Sequence, residues 1–321
     1  MWMRRILCCL MFTQHIDSIE IELANKCNAK CPQCPRYDTG LKLIPGLNKD
    51  ELTLEDFKNI DFVDQLKNIS FCGATGDPII AKDLLPIVNY IKDINPSCKI
   101  TISTNGSLHD SEYWKSLVGC DIIFGIDGLE DTHSMYRIGT SFNTVIENAQ
   151  TFIDAGGEAT WQMILFAHNE HQVHECRQMS EDMGFQKFAT MYSDRFSYVD
   201  HTDINTKRSI YTLKPAKQIF NSAETKTKHN STSVSCMSLN MNHIFIYADG
   251  TVWPCCYLGG ISSWGKTSHS RIELSMIKKH VGPLKSIINN KLSDILKTEE
   301  WNSWQWVTEG KLPTCRLYCG I

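Results

Sequence analysis

The chain has 321 residues, with 32 Lys and Arg against 36 Asp and Glu, a net charge of -4 and no run of like charge. That length fits one large domain plus a small one, and the charge balance excludes the basic surface that binding free nucleic acid requires. No stretch approaches the ~20 apolar residues of a membrane helix, so no membrane partner is expected.

Residues 1–16 read as a leader segment. Ile6 to Phe12 is apolar behind Arg4 and Arg5, but the stretch is short and no small-residue cleavage site follows, so it is not a signal peptide; Met11 offers an alternative start. Residues 17–199 alternate β-rich runs at 18–23, 68–72, 99–103, 121–126, 159–166 and 187–191 with amphipathic segments at 53–66, 81–94, 111–118, 142–155 and 170–183. The alternation predicts an α/β fold, a partial (β/α)6 TIM-like barrel with a parallel sheet. Thr53 with Asp56 marks a helix start, and Gly156-Gly157 and Gly184 mark stops.

Residues 200–232 are polar and form a connector, with one helix expected over 210–220. Residues 233–321 form a small subdomain of a β-hairpin plus helix. Its hairpin strands at 243–247 and 251–253 flank Ala248-Asp249-Gly250, because Asp-Gly accepts the positive φ of a tight turn. A helix is expected over 284–306, with Trp301, Trp304 and Trp306 packing on the barrel.

The chain has fourteen cysteines, unevenly placed. Cys98, Cys120 and Cys176 stand alone among apolar or helical neighbours and are expected in the core. Cys27, Cys31 and Cys34 share one loop after the first strand, at the end of a parallel sheet where ligands gather. Three close thiolates with no adjacent fourth leave one iron of a cubane open to an outside ligand; a tetrahedral zinc site is the alternative and would need a fourth ligand nearby. A disulfide-stapled secreted chain is the further alternative, but such frameworks belong mostly to small domains with secretion signals. A cytoplasmic location is therefore expected.

A CxxxCxxC loop after the first strand of a βα barrel resembles the radical S-adenosylmethionine (radical SAM) superfamily. The second strand runs into Cys72-Gly73-Ala74-Thr75-Gly76-Asp77-Pro78, similar to the family's glycine-rich stretch, whose backbone receives the methionine amino group. Glycine there lets main chain approach a ligand closely. The third strand ends in Ser103-Thr104-Asn105-Gly106 and the fourth in Gly125-Ile126-Asp127-Gly128, followed by Tyr136-Arg137. The likeness implies that Cys27, Cys31 and Cys34 hold a 4Fe-4S cluster and that Gly73, Ala74, Thr75, Gly76, Asp77, Ser103, Thr104 and Asn105 lie around S-adenosyl-L-methionine. It also implies that Asp127 sits near the active-site mouth and that Arg137 pairs with the methionine carboxylate, which suits the planar guanidinium.

Cys236, Cys255, Cys315 and Cys319 resemble the auxiliary-cluster subdomain called SPASM, or its shortened form called twitch. The likeness implies one auxiliary 4Fe-4S cluster with four thiolate ligands; structural zinc is the alternative. Cys256 is a replacement ligand for Cys255, a hydrogen donor, or a buried neighbour. His168, His171 and His174 do not have metal-ligand spacing, although His168 and Asn169 could reach a substrate at the barrel mouth. Cys72 is expected to be a packed strand thiol.

By this resemblance the chain is an enzyme that cleaves S-adenosylmethionine reductively and abstracts hydrogen from a substrate, for oxidation, bond formation or epimerisation. An electron donor such as flavodoxin or ferredoxin is implied. The cysteine loop begins only 26 residues in, which favours a small molecule over a peptide substrate, because no N-terminal peptide-recognition domain precedes it. The competing reading is a non-catalytic iron-sulfur or zinc scaffold.

Overall fold

The computed structural model describes residues 15–37, 43–44, 47, 50–193, 213–217, 234–264, 268–281, 283–302 and 310–320. Six strands, β1 (Ser18–Ile21), β2 (Asn68–Phe71), β3 (Lys99–Thr104), β4 (Asp121–Gly125), β5 (Glu158–Leu165) and β6 (Lys187–Tyr192), pair in parallel in chain order. The helices that follow them are α1 (Leu54–Phe57), α2 (Leu84–Ile94), α3 (Ser111–Ser116), α4 (Glu130–Tyr136), α5 (Phe142–Asp154) and α6 (Val173–Asp182). The (β/α)6 reading of the sequence is the fold observed.

Alternation within the strands builds two faces. Ile19, Ile21, Ile69, Phe71, Ile100, Ile102, Ile122, Phe124, Trp161 and Met163 are buried on the outer face. There they meet helix stripes such as Leu84, Ile87, Val88 and Ile91 of α2, spaced to fall on one side of a helix. Burying one such side chain contributes about 1.5–3 kcal/mol. On the inner face Glu20, Ser70, Thr101, Ser103, Thr160 and Gln162 stay only partly covered, leaving a polar chamber. The Thr53–Asp56 capping box forms as expected, and Gly156 and Gly184 end their helices with φ of 92° and 86°.

The C-terminal hairpin comprises β7 (His243–Ile246) and β8 (Val252–Trp253), turning at Gly250 with φ 78°. Its first strand pairs in parallel with β1, so the sheet runs β6-β5-β4-β3-β2-β1-β7-β8. Around it lie α7 (Met237–Asn240), α8 (Cys256–Trp264), α9 (Ser268–Val281), α10 (Leu292–Ile295), α11 (Glu299–Asn302) and α12 (Pro313–Cys319).

Two departures from the sequence reading concern this region. Among the described residues the helix expected over 284–306 is instead two short ones, because residues after Pro283 return to the hairpin: Ser286 bridges Thr251, and the Ile287 N–H donates to the Gly250 carbonyl (2.9 Å). Helix α8 was not expected from Cys256-Tyr257-Leu258-Gly259-Gly260, since glycine disfavours helices. Gly259 is there for packing: a Cβ would stand 2.6 Å from the Phe245 ring. Trp301 is buried, as expected; Trp304, Trp306 and most of the helix expected over 210–220 lie outside the described residues. No helix among the described residues is long and apolar enough to cross a membrane.

Candidate active site

The loop carrying Cys27, Cys31 and Cys34 leaves β1 at the carboxyl end of the sheet and is tied down from several sides. Lys30 N–H donates to Ile138 (2.7 Å), Asn28 Nδ2 to Ser107 Oγ (2.8 Å) and the buried Arg36 to the carbonyls of Asn25 and Thr75. Cys31 is buried against Tyr136 and Phe166, whose rings are 4.6 Å apart, with Cys27 and Cys34 at the margin. Burial, then the charges of Asp77 and Cys31, push the Cys27 thiol up to about 12. Thiols so hard to ionise alone become thiolates when a cationic metal group draws them together. The donor set fits an iron-sulfur cluster.

The glycine-rich loop packs more tightly than close ligand approach alone would require. A Cβ on Gly73 would lie 1.9 Å from the Gly76 carbonyl oxygen, and one on Gly76 would lie 1.6 Å from that of Ala24. These glycines thus let the loop fold onto itself and onto the strand that feeds the cysteine loop. Gly73 is exposed and Ala74 half-buried, so the open edge of the loop lies there. Thr75 points the other way: its N–H and Oγ both reach Glu22 Oε1 (2.6 and 2.8 Å), and its Oγ also meets the Tyr247 hydroxyl (2.8 Å). Burial raises Glu22 to about 7, and its Oε2 has no hydrogen-bond partner.

Asp77 is buried and acts between loops. It accepts from Thr104 Oγ and the Asn105 N–H, both at 2.8 Å, and burial raises its pKa. Asn105 in turn points Nδ2 at Cys27 Sγ (3.7 Å) and Asn28 Oδ1 (3.0 Å). The ends of β2 and β3 are thereby locked to the cysteine loop, while Ser103 lies on the partly open inner face.

Asp127 is not at the mouth, where the sequence places it. It is fully buried, with Oδ2 accepting from Arg137 Nε (2.6 Å) and Oδ1 from the Ile164 N–H (2.6 Å). The physical reason is that the Arg137 charge and the β5 backbone both need an acceptor there. Arg137 lies over Gly125, where a Cβ would be 2.5 Å from its Nη2, and feels the charge of Cys31. Asn169 is likewise consumed inside: it bonds Asp127, Ile164 and Phe166 and is fully buried, so it does not reach a substrate. His168 stacks on Phe166 with a buried, unpartnered Nε2, and burial lowers it to about 4.

The C-terminal cysteines come together as a second group. Burial and then the charges of Cys255, Cys236 and Cys319 push the Cys315 thiol up, and Cys255 rises to about 12 for the same kind of reason. Backbone pairing fastens the chain ends, with Ser235 N–H donating to the Cys319 carbonyl (2.8 Å) and Val234 bridging Gly320. Cys256 is partly buried next to Cys255, and burial, then the charges of Glu20 and Cys255, push its thiol up. Cys72 is partly buried and packs against the core beyond the end of β2, as the sequence leads one to expect. Cys98, Cys120 and Cys176 are buried core residues, as expected. Among the described residues no group of three or more His, Cys, Asp or Glu side chains converges tightly enough for a single metal ion.

Sequence reasoning missed Glu22, Arg36 and Tyr247. Glu22 carried a signal, a carboxylate between apolar residues near a strand end; Arg36 lay two residues past Cys34 with nothing to mark it.

The model of the radical SAM superfamily matches residues 21–179, and that of the SPASM iron-sulfur cluster-binding domain matches residues 236–320. A sequence search of curated proteins gives no match. Among solved structures, SuiB of Streptococcus suis bound to S-adenosylmethionine aligns at a TM-score of 0.61 and 13% identity, covering 94% of this chain and 71% of its own. The native enzyme anSMEcpe with bound AdoMet aligns at 0.55 and 14%, covering 91% and 83%. The chain belongs to the radical SAM superfamily and carries a SPASM domain, with S-adenosylmethionine, a 4Fe-4S cluster and auxiliary iron-sulfur as its cofactors.

Proposed function

We propose that the chain is a radical SAM enzyme that takes a hydrogen atom from its substrate and returns one, so that the outcome is epimerisation rather than oxidation or bond formation. What supports this reading is the difference between two adjacent thiols: Cys255 feels the charges of Cys236 and Cys319, whereas Cys256 feels first the charge of Glu20 on β1. When bound, the reduced cluster and S-adenosylmethionine supply an agent able to abstract hydrogen from carbon; the protein positions, shields and orients.

Cys27, Cys31 and Cys34 would hold the catalytic cluster. The exposed backbone at Gly73 and Ala74 receives the methionine amino group, and Arg137 takes its carboxylate with Asp127 holding the guanidinium in place. Ser103, Thr104 and Asn105 line the cofactor side, with Asp77 fixing their main chain. Cys236, Cys255, Cys315 and Cys319 hold one auxiliary cluster, and Cys256 returns the hydrogen atom. A flavodoxin or ferredoxin of the cytoplasm supplies electrons.

For the substrate we favour a peptide. SuiB has been solved with its precursor peptide SuiA and anSMEcpe with the Cp18Cys peptide, on folds like this one. A small polar molecule is the second reading, favoured by the inner lining of Ser70, Thr101, Ser103, Thr160 and Gln162.

The test is release of 5'-deoxyadenosine from S-adenosylmethionine by anaerobically reconstituted, reduced protein. Release that is lost in the Cys27/Cys31/Cys34 triple Ala variant supports the reading. Wild-type protein that binds zinc and releases none would sink it and leave a metal-stapled scaffold.

A further inference from the structure

Strand pairing sets two residues from distant parts of the chain side by side at the carboxyl end of β1. The parallel register of β1 on β7 ends at Ile21 opposite Ile246, and the Glu22 N–H donates to the Ile246 carbonyl (3.0 Å), so Glu22 and Tyr247 follow as neighbours. On the other flank of β1 the Cys72 N–H donates to the Ile21 carbonyl (3.0 Å), and the cofactor loop returns from there to Glu22. Its Thr75 is held on three sides: N–H and Oγ donate to Glu22 Oε1 (2.6 and 2.8 Å), and the carbonyl accepts from Arg36. Since the Thr75 hydroxyl proton goes to Glu22, the 2.8 Å contact between that oxygen and the Tyr247 hydroxyl has Tyr247 as donor. Glu22, Thr75 and Tyr247 are 0, 1 and 4% exposed, which leaves no bulk water to replace a lost bond. The Tyr247 ring packs in the core 6.2 Å from the Phe245 ring, and its hydroxyl adds a bond that packing does not require. Tyr247 falls in the stretch matched to the SPASM domain and Thr75 in that matched to the radical SAM superfamily, so this bond joins the two.

Resting on the functional reading above, in which the backbone at Gly73 and Ala74 receives the methionine amino group, we propose that Tyr247 is a positioning residue for S-adenosylmethionine. Acting through Thr75, it holds the cofactor loop down on Glu22, so the C-terminal subdomain completes the cofactor site of the barrel. Gly73 and Ala74 form the open edge of that loop, and Thr75, directly after them, is where the loop is fastened inward. Loosening Thr75 frees the main chain that must meet the ligand, and the cost of ordering it then falls on binding. The link is reciprocal. A hairpin that favours the bound form of the loop is itself favoured when cofactor binds.

The test is the S-adenosylmethionine affinity of the reconstituted, unreduced holoenzyme, which binds the cofactor without consuming it. Tyr247→Phe should bind about fivefold more weakly, the worth of one hydrogen bond, with its iron content unchanged. Thr75→Val removes the acceptor of that bond, so adding Tyr247→Phe to it should weaken binding no further, and Thr75→Ser should recover most of what Thr75→Val loses. Wild-type affinity in Tyr247→Phe, or a loss that persists undiminished on the Thr75→Val background, overturns the proposal. A second readout needs no change at Tyr247. Amide hydrogen exchange across residues 243–253 should slow when S-adenosylmethionine is added to wild type, and should respond less in Thr75→Val. Exchange indifferent to the cofactor in wild type, or equal protection in both proteins, overturns the proposal as well. Wild type that binds no S-adenosylmethionine overturns the functional reading together with the link, an outcome distinct from binding that ignores Tyr247.

Discussion

Arg137 donates from Nε to Asp127 at 2.6 Å, and the acceptor is fully buried while the donor's side chain keeps 16% of its exposure. The pair faces inward at one end and the chamber at the other. Asp127 thus acts through Arg137 and the β5 backbone rather than on the substrate.

Replacing Asp127 by Ala strands a buried guanidinium and leaves the Ile164 N–H without its acceptor. Removing one partner of a buried pair costs about 3–5 kcal/mol. Denaturant unfolding should show a loss of at least about 3 kcal/mol, and S-adenosylmethionine should bind at least tenfold more weakly in whatever protein remains folded. Unchanged affinity in a folded Asp127→Ala protein contradicts the holding role.

Glu22 gives a pH dependence. Its folded pKa of about 7 lies above its ordinary 4.5, so the folded state binds the proton more tightly. Its contribution to stability is complete below about pH 4.5 and is lost as pH rises through 7. Glu22→Gln, which keeps an acceptor for Thr75 and carries no charge, should be more stable than wild type at pH 8, by up to about 3 kcal/mol. The difference should vanish by pH 4.5. Equal stabilities at both pH values, measured by urea unfolding, count against it.

Gly76→Ala should be disruptive whatever ligand is present, because its Cβ would sit 1.6 Å from the Ala24 carbonyl oxygen. That oxygen belongs to backbone and cannot swing away. A Gly76→Ala protein with wild-type melting temperature and wild-type S-adenosylmethionine affinity would refute the account of this loop.

Cys255→Ala and Cys256→Ala should behave differently despite adjacency. The first removes a thiol of the C-terminal group and should drop iron by about four atoms per chain, one cubane's worth. The second should leave iron unchanged. Iron analysis after anaerobic reconstitution decides it, and equal losses contradict the division of roles.

Much of this was legible beforehand because it is periodic or local. The strand alternation, the Thr53–Asp56 box and the Asp249-Gly250 turn are written in neighbouring residues. The two cysteine sets could be read from spacing. What escaped were pairings across the sheet: Glu22 with Thr75, Thr75 with Tyr247, and Arg36 with Thr75. Each joins residues far apart in sequence, and nothing local fixes which partner such a side chain will meet. Asp127 was placed at the mouth because its motif ends a strand, whereas the geometry spends both oxygens inside.

The most direct test of the central claim is the electron paramagnetic resonance spectrum of the reduced protein before and after S-adenosylmethionine is added. The account predicts a signal that changes on addition, and a Cys27/Cys31/Cys34 triple Ala protein whose remaining auxiliary signal does not respond. A wild-type spectrum indifferent to S-adenosylmethionine, or a response that survives in the triple variant, would contradict it.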